Sequence, residues 1–148
     1  MTTTVYVPRD SAARSVGADE VAVALTAEAA RRGDDVRLVR NGSRGLLWLE
    51  PMVEVDVDGT RVAYGPVAAD AVAELLDHGL LSGGEHPLRL GPTDALEWLR
   101  RQDRVTFARV GVIDPLDLDM YEEHGGLAGL RAAVVASPQD VVTAVADS

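Results

Sequence analysis

The sequence predicts an α/β protein: a mixed sheet flanked by helices, followed by a mostly helical C-terminal segment. Three observations point there. A β-prone run, a helix and a second strand follow one another through short loops between Val5 and Arg40. A strictly alternating hairpin lies between Met52 and Tyr64. Beyond Leu80 the apolar residues fall mainly at helical spacings.

Each element has a local reason. Val5-Tyr6-Val7 is a short strand closed by Pro8. From about Ala18 to Arg32, Val21, Leu25 and Ala29 recur at helical spacing. Asp19 and Glu20 sit in the first turn and Arg31 and Arg32 in the last, where each sign suits the helix dipole, and Gly33 is the expected stop. Val36 to Arg40 alternates as a strand does, so strand, helix and strand predict two parallel strands joined by a right-handed crossover. Met52 to Val57 alternates again, Asp58-Gly59 is a two-residue turn, and Thr60 to Tyr64 returns. A second helix is expected from about Ala68 to His78, stopped by Gly79. The order β-α-β, then β-β-α, is that of a small thioredoxin-like domain.

Ser82 to Pro87 is a polar loop and an expected domain boundary, dividing the chain into residues 1–90 and 91–148. In the second part Gly91-Pro92-Thr93 is expected to open a helix reaching about Gln102. Val105 to Val112 is expected to be strand-like or extended. Short helices are expected at about Leu116–Glu123 and Leu127–Val135. The last helix starts with Ser137 as N-cap, Pro138 at its first position and Asp140 three residues after the cap.

Composition narrows the chemistry. The chain has 148 residues, 47% hydrophobic and 26% charged, and reads as an ordinary globular protein. It contains no cysteine, which excludes disulfides, thiol catalysis and thiolate-held metals or iron–sulfur clusters. All 14 basic residues are arginine, so Schiff-base lysines and a phosphate-loop lysine are excluded as well. The 24 acidic residues give a net charge of -10, which disfavours nucleic acid and anionic membranes as partners. No apolar run approaches the ~20 residues of a membrane span. The start, MTTTVYVPRD, lacks the features of a secretory signal, and the expected location is the cytoplasm.

No candidate site assembles from the residues alone. His78, His86 and His124 follow no metal-ligand spacing; His78 and His124 stand beside glycines at helix ends, where capping is the expected role. The run Asp114, Asp117, Asp119, Glu122, Glu123 lacks the register of a calcium loop and reads as a solvated helix start. Asp56 to Gly59 is explained by its hairpin. Asn41-Gly42-Ser43-Arg44-Gly45 could cradle a phosphate, but an apolar run and Glu50-Pro51 follow it rather than a helix N-terminus. Ser43 has no nucleophile elbow around it. Trp48 and Trp98 are expected to be core or interface anchors. No residue is assigned a catalytic, cofactor-binding or metal-binding role.

Four separated blocks carry a family resemblance: VYVPRDSAARSVGADEVA, VRLVRNGSRGLLWLEPMVEV, VAYGPVAADAVAELLDHGLLSGGEHPLRLGPT and WLRRQDRVTFARVGVIDPLDLDMYEEHGGLAGL. Together they resemble the N-terminal part of the beta (diaphorase, flavoprotein) subunit of soluble NAD-dependent formate dehydrogenases. Those subunits are related to the NADH-binding flavoprotein subunit of respiratory complex I. The resemblance implies that residues 1–90 are a thioredoxin-like ferredoxin domain whose [2Fe–2S] ligands are lost, and that residues 91–148 are a helical lead-in to a flavin domain. The four ligand positions of the family fall on Pro8, Ala13, Ser43 and Leu47, none of which supplies a thiolate.

The FMN, NADH and [4Fe–4S] residues of the family would lie after Ser148 and have no counterpart in this chain. The resemblance therefore implies no cofactor here and no activity from these 148 residues alone. It implies a docking role, with the flavin domain and the other subunits of a formate dehydrogenase-type complex as partners. The parent complex would couple formate oxidation to NAD reduction through iron–sulfur clusters and FMN. The alternative is a stand-alone thioredoxin-like module that binds a protein or small molecule without redox activity. A further expectation is that the old cluster pocket has closed into hydrophobic packing around Pro8 and Leu47, so that Leu47→Asp costs several kcal/mol.

Overall fold

The computed structural model describes residues 2–148. They form two compact units, residues 2–114 and Pro115–Ser148. The sequence-based division at residue 90 follows a change in composition; the packing of the first unit continues to Asp114.

The first unit holds a five-stranded mixed sheet. Its strands are β1 (Thr3–Tyr6), β2 (Val36–Val39), β3 (Val53–Val57), β4 (Thr60–Tyr64) and β5 (Arg89–Pro92), in the order β2-β1-β3-β4-β5. β1 and β2 are parallel, as the intervening helix requires, and the other pairs are antiparallel. The Asp58-Gly59 turn takes φ of 51° and 81°, the paired positive values of the primed turn that matches strand twist. Gly at the second position accommodates that backbone without strain.

Helix α1 (Ser11–Ser15) is capped by Asp10, whose side chain accepts from the amides of Ala12 and Ala13. Helix α2 (Ala18–Arg32) has the expected bounds, ends at Gly33 and buries Val21, Leu25 and Ala29. Helix α3 (Val72–Asp77) buries Val72, Leu75 and Leu76. One face of the sheet meets these helices: Val5, Val7, Val53, Val55, Val62 and Tyr64 join Val21, Leu25, Leu75 and Leu80 in the main core. The other face carries a smaller apolar cluster of Leu46, Met52 and Ala63, with Leu49, Leu90, Leu96 and Leu99 against it.

Two expectations need correction. Gly91 and Pro92 do not open a helix; they complete β5, and the helical segment shrinks to a 3-10 turn at Thr93–Ala95 followed by α4 (Glu97–Arg100). The segment Val105 to Val112 forms successive turns rather than a strand. Its carbonyls are taken by arginine side chains instead of a sheet edge, and Gly111 adopts a positive φ of 78°.

The second unit consists of α5 (Leu118–Glu123), α6 (Ala128–Val135) and α7 (Pro138–Ala146), close to the three expected helices. Asp117 caps α5 and Ser137 caps α7, each accepting a backbone amide with its side chain. By itself this unit leaves Leu130, Val134, Val135, Val142 and Val145 exposed. No helix among the described residues is long and apolar enough to cross a membrane.

Candidate functional site

The loops after β1 and β2 run side by side, tied by a bond from the Arg9 amide to the Asn41 carbonyl at 2.8 Å. Arg40 fixes the first loop further, donating to the carbonyls of Val7 and Pro8 at 3.1 Å each and to the Asp19 carboxylate at 2.6 Å. The four positions that the resemblance marks as former cluster ligands lie on these loops and the short helices that follow them: Pro8 and Ser43 in the loops, Ala13 in α1 and Leu47 at the start of a 3-10 turn. Pro8 and Ala13 are buried. The Ser43 hydroxyl donates to Glu50 Oε1 at 2.6 Å and accepts from the Gly45 amide at 2.9 Å. Glu50 Oε2 accepts from the Met52 amide at 2.9 Å. Burial raises the Glu50 pKa, and the bonds from Ser43 and Met52 oppose that rise.

Leu47 corrects the expectation of a closed apolar pocket, because its residue is 60% exposed. The cause is the 3-10 turn Leu47–Leu49, which is entered through Leu46. Leu46 turns inward to Met52 and Ala63, leaving Leu47 and Trp48 on the solvent side.

Beneath the loops lies a buried ion cluster that the sequence reading did not single out. Glu54, in the middle of β3 and 1% exposed, receives Arg44 Nε at 3.1 Å and Arg44 Nη2 at 2.9 Å. Arg61 approaches the same carboxylate at 3.7 Å, and its guanidinium lies 3.5 Å from the centre of the Tyr6 ring. Arg61 also donates to the carbonyls of Gly111 and Val112 at 3.2 and 2.6 Å. Asn41 Nδ2 donates to the Gly111 carbonyl at 2.8 Å, and Arg104 donates to the Arg44 carbonyl at 2.7 Å. These bonds hold residues 104–113, which lack regular structure, against the sheet.

The held segment and the second loop enclose a groove of about 650 Å³, lined by Ser43, Gly45, Leu47, Val105, Phe107 and Val110 among others. Its apolar residues are mostly exposed. Trp48, next to Leu47, meets Trp98 edge to face at 6.0 Å between ring centres, and both are 59% exposed. Neither tryptophan is therefore a core anchor, the first of the two expected roles.

Elsewhere, Asp56 accepts the Gly59 amide at 2.8 Å within its hairpin. Asp117 serves as the helix cap described above, and Glu122 pairs with Arg131 at 2.6 Å. Asn41 to Gly45 leads into the 3-10 turn and meets no helix N-terminus that would bind a phosphate. His78 and His124 each place Nδ1 against the carbonyl four residues earlier, at 2.8 and 2.9 Å, as helix-end residues do. His86, eight residues after His78 in sequence, comes back beside it, with ring centres 5.3 Å apart. Glu74 completes a trio whose ligand atoms lie within 4.8 Å of one another. The only sequence signal for this trio was the four-residue spacing of Glu74 and His78 on one helix face.

No family model and no curated protein matches the chain. Solved structures do match. A thioredoxin-like [2Fe–2S] ferredoxin from Aquifex aeolicus is similar at 19% identity and a TM-score of 0.53, over 65% of this chain and 96% of that one. The wild-type protein in another structure gives 20% identity and a TM-score of 0.51, over 61% and 97%. A cysteine-to-serine variant gives 22% and 0.52, over 60% and 98%.

The fold is therefore thioredoxin-like, in the arrangement of those ferredoxins. The residues here do not fit a [2Fe–2S] cluster. Two of the four positions are packed as Pro8 and Ala13, Ser43 is committed to Glu50, and the chain has no thiolate to offer.

Proposed function

We propose that this chain is a non-catalytic docking segment of a formate dehydrogenase-type diaphorase subunit, with the flavin domain of such a subunit as its principal partner. One observation carries the reading: Leu47, Val105 and Phe107 stand in solvent around a groove, with exposed Trp48 next to Leu47, on the loops where the resemblance puts two of the lost cluster ligands. Burial of that surface against a partner is favourable by about 25 cal/mol per Å² of apolar area, before the entropic cost of association. The apolar residues exposed on α6 and α7 support the same reading for the second unit, taken by itself.

Docking needs the groove to keep its shape in the absence of the partner. The Glu54 cluster does this by holding both walls: Arg44 belongs to one loop, Arg61 grips the Val112 carbonyl of the other, and Arg104 of that other wall donates to the Arg44 carbonyl. The chain's own chemistry ends there: it positions and covers, and formate oxidation and NAD reduction belong to other parts of such a complex.

Co-expression of the 148-residue chain with the flavin domain and remaining subunits of a formate dehydrogenase-type complex tests the proposal. A co-purifying assembly that Trp48→Ala or Phe107→Asp dissociates is the expected result, with NADH-dependent dye reduction found only when the flavin domain is present. Dye reduction by the isolated chain would refute the non-catalytic reading. A small molecule retained by the isolated chain, without subunit association, would favour the stand-alone binding module.

A further inference from the structure

The geometry points to a transition-metal site of the zinc class, formed by Glu74 and His78 of the α3 end and His86 of the loop before β5. It is independent of the docking groove. Glu74 and His78 are four residues apart, so both project from the same side of the helix end. The Gly79–Gly84 turns then bring His86 back to them, and the three ligand atoms lie within 4.8 Å of one another. A tetrahedral ion with bonds of about 2.0–2.2 Å holds its ligands roughly 3.5 Å apart. Closure by about 1 Å therefore completes the site, and Glu74 and His78, both exposed, are free to make it.

The tautomers are partly prepared. His78 Nδ1 lies 2.8 Å from the Glu74 carbonyl, so it carries the proton there and leaves the Nε2 lone pair available. The His86 side chain is only 6% exposed, and its Nε2 is buried without a hydrogen-bond partner. The nearest carboxylate oxygen of Glu74 is 3.6 Å away, beyond hydrogen-bond reach. A buried imidazole nitrogen without a partner is uncommon, and a metal bond gives it one once Nε2 is the unprotonated nitrogen.

One contact opposes binding. The Leu88 amide donates to His86 Nδ1 at 3.1 Å, which keeps the proton of the neutral ring on Nε2. For Nε2 to bind a metal the neutral ring changes tautomer, its proton passing by exchange with solvent from Nε2 to Nδ1, so the ring gives up the Leu88 bond as it gains the metal bond. The expected affinity is accordingly micromolar rather than nanomolar. Two imidazoles and one carboxylate suit Zn(II) or Co(II) and not Ca(II) or Mg(II), and three protein ligands leave a fourth position for water.

The test uses the full chain without an affinity tag, stripped with EDTA. Calorimetric titration with zinc chloride is expected to show one ion per chain, and excess zinc to raise the thermal unfolding midpoint. Cobalt chloride should give the visible absorption of a tetrahedral site. His78→Ala and Glu74→Gln change exposed side chains, and circular dichroism checks that each variant is folded. Each should weaken zinc binding by about tenfold or more, while His124→Ala leaves it unchanged. Absence of saturable binding overturns the assignment. So does zinc affinity that is indifferent to His78→Ala, or that is lost in His124→Ala.

Discussion

Arg44 grips both oxygens of Glu54, at 3.1 and 2.9 Å, in the middle of a sheet face where both side chains are buried. The pair ties a loop to the central strand β3. Its carboxylate is also the electrostatic floor under Arg61, so loss of one acid leaves two cations without their partner.

Glu54→Ala should therefore lower the unfolding free energy by about 3–5 kcal/mol, the usual result of stranding a buried charge. Urea denaturation measures it. Replacing Arg44 and Glu54 together by methionine should recover only part of the loss, because Arg44 is no longer stranded but Arg61 still lacks its carboxylate. A single-mutant shift below about 1 kcal/mol would mean that water enters the cluster.

Gly111→Ala tests how tightly the irregular segment is held. A Cβ there would collide with Arg44 Cδ, and the backbone φ of 78° already disfavours a side chain. A loss of roughly 1–3 kcal/mol is expected, with limited proteolysis newly cutting between residues 104 and 113. Unchanged stability and protease resistance would show that Arg44 yields freely.

Two glutamates should titrate in opposite directions. Hydrogen bonds from Arg31 and then Arg32 lower the Glu28 pKa from 4.5 to about 2. Its contribution to stability is thus present above pH 4.5 and lost as the pH falls toward about 2. Glu50 is raised above 4.5 by burial. Its protonated form suits the fold, so its contribution is fully present below pH 4.5 and declines as the pH rises through the folded value. Carboxyl-detected NMR titration resolves the pair, and a Glu50 midpoint below that of Glu28 would contradict the structure.

Leu47→Asp should change stability by no more than about 0.5 kcal/mol, since the side chain is in solvent. It should nonetheless abolish docking to the flavin domain by placing a charge on the groove wall. Thermal melts and co-purification separate the two effects. A large drop in melting temperature would restore the closed-pocket expectation.

Much of the sheet was legible because its signals are local. The Asp58-Gly59 turn fixes its own backbone, and the run from Val21 to Ala29 repeats at helical spacing. Val105 to Val112 misled for the complementary reason: its apolar residues suggest a strand, but distant Arg61 takes two of its carbonyls. Glu54 looked like the polar half of an alternating hairpin, and only the return of Arg44 explains its burial. His78 and His86 likewise meet through tertiary turns that no residue spacing encodes.

The Trp48–Trp98 contact gives the molecule a built-in optical reporter. These are the only two indoles in the chain, and they meet edge to face beside Leu47, which lines the groove. Emission excited in the near ultraviolet should therefore shift blue when that surface is covered, so association can be followed on the unlabelled protein.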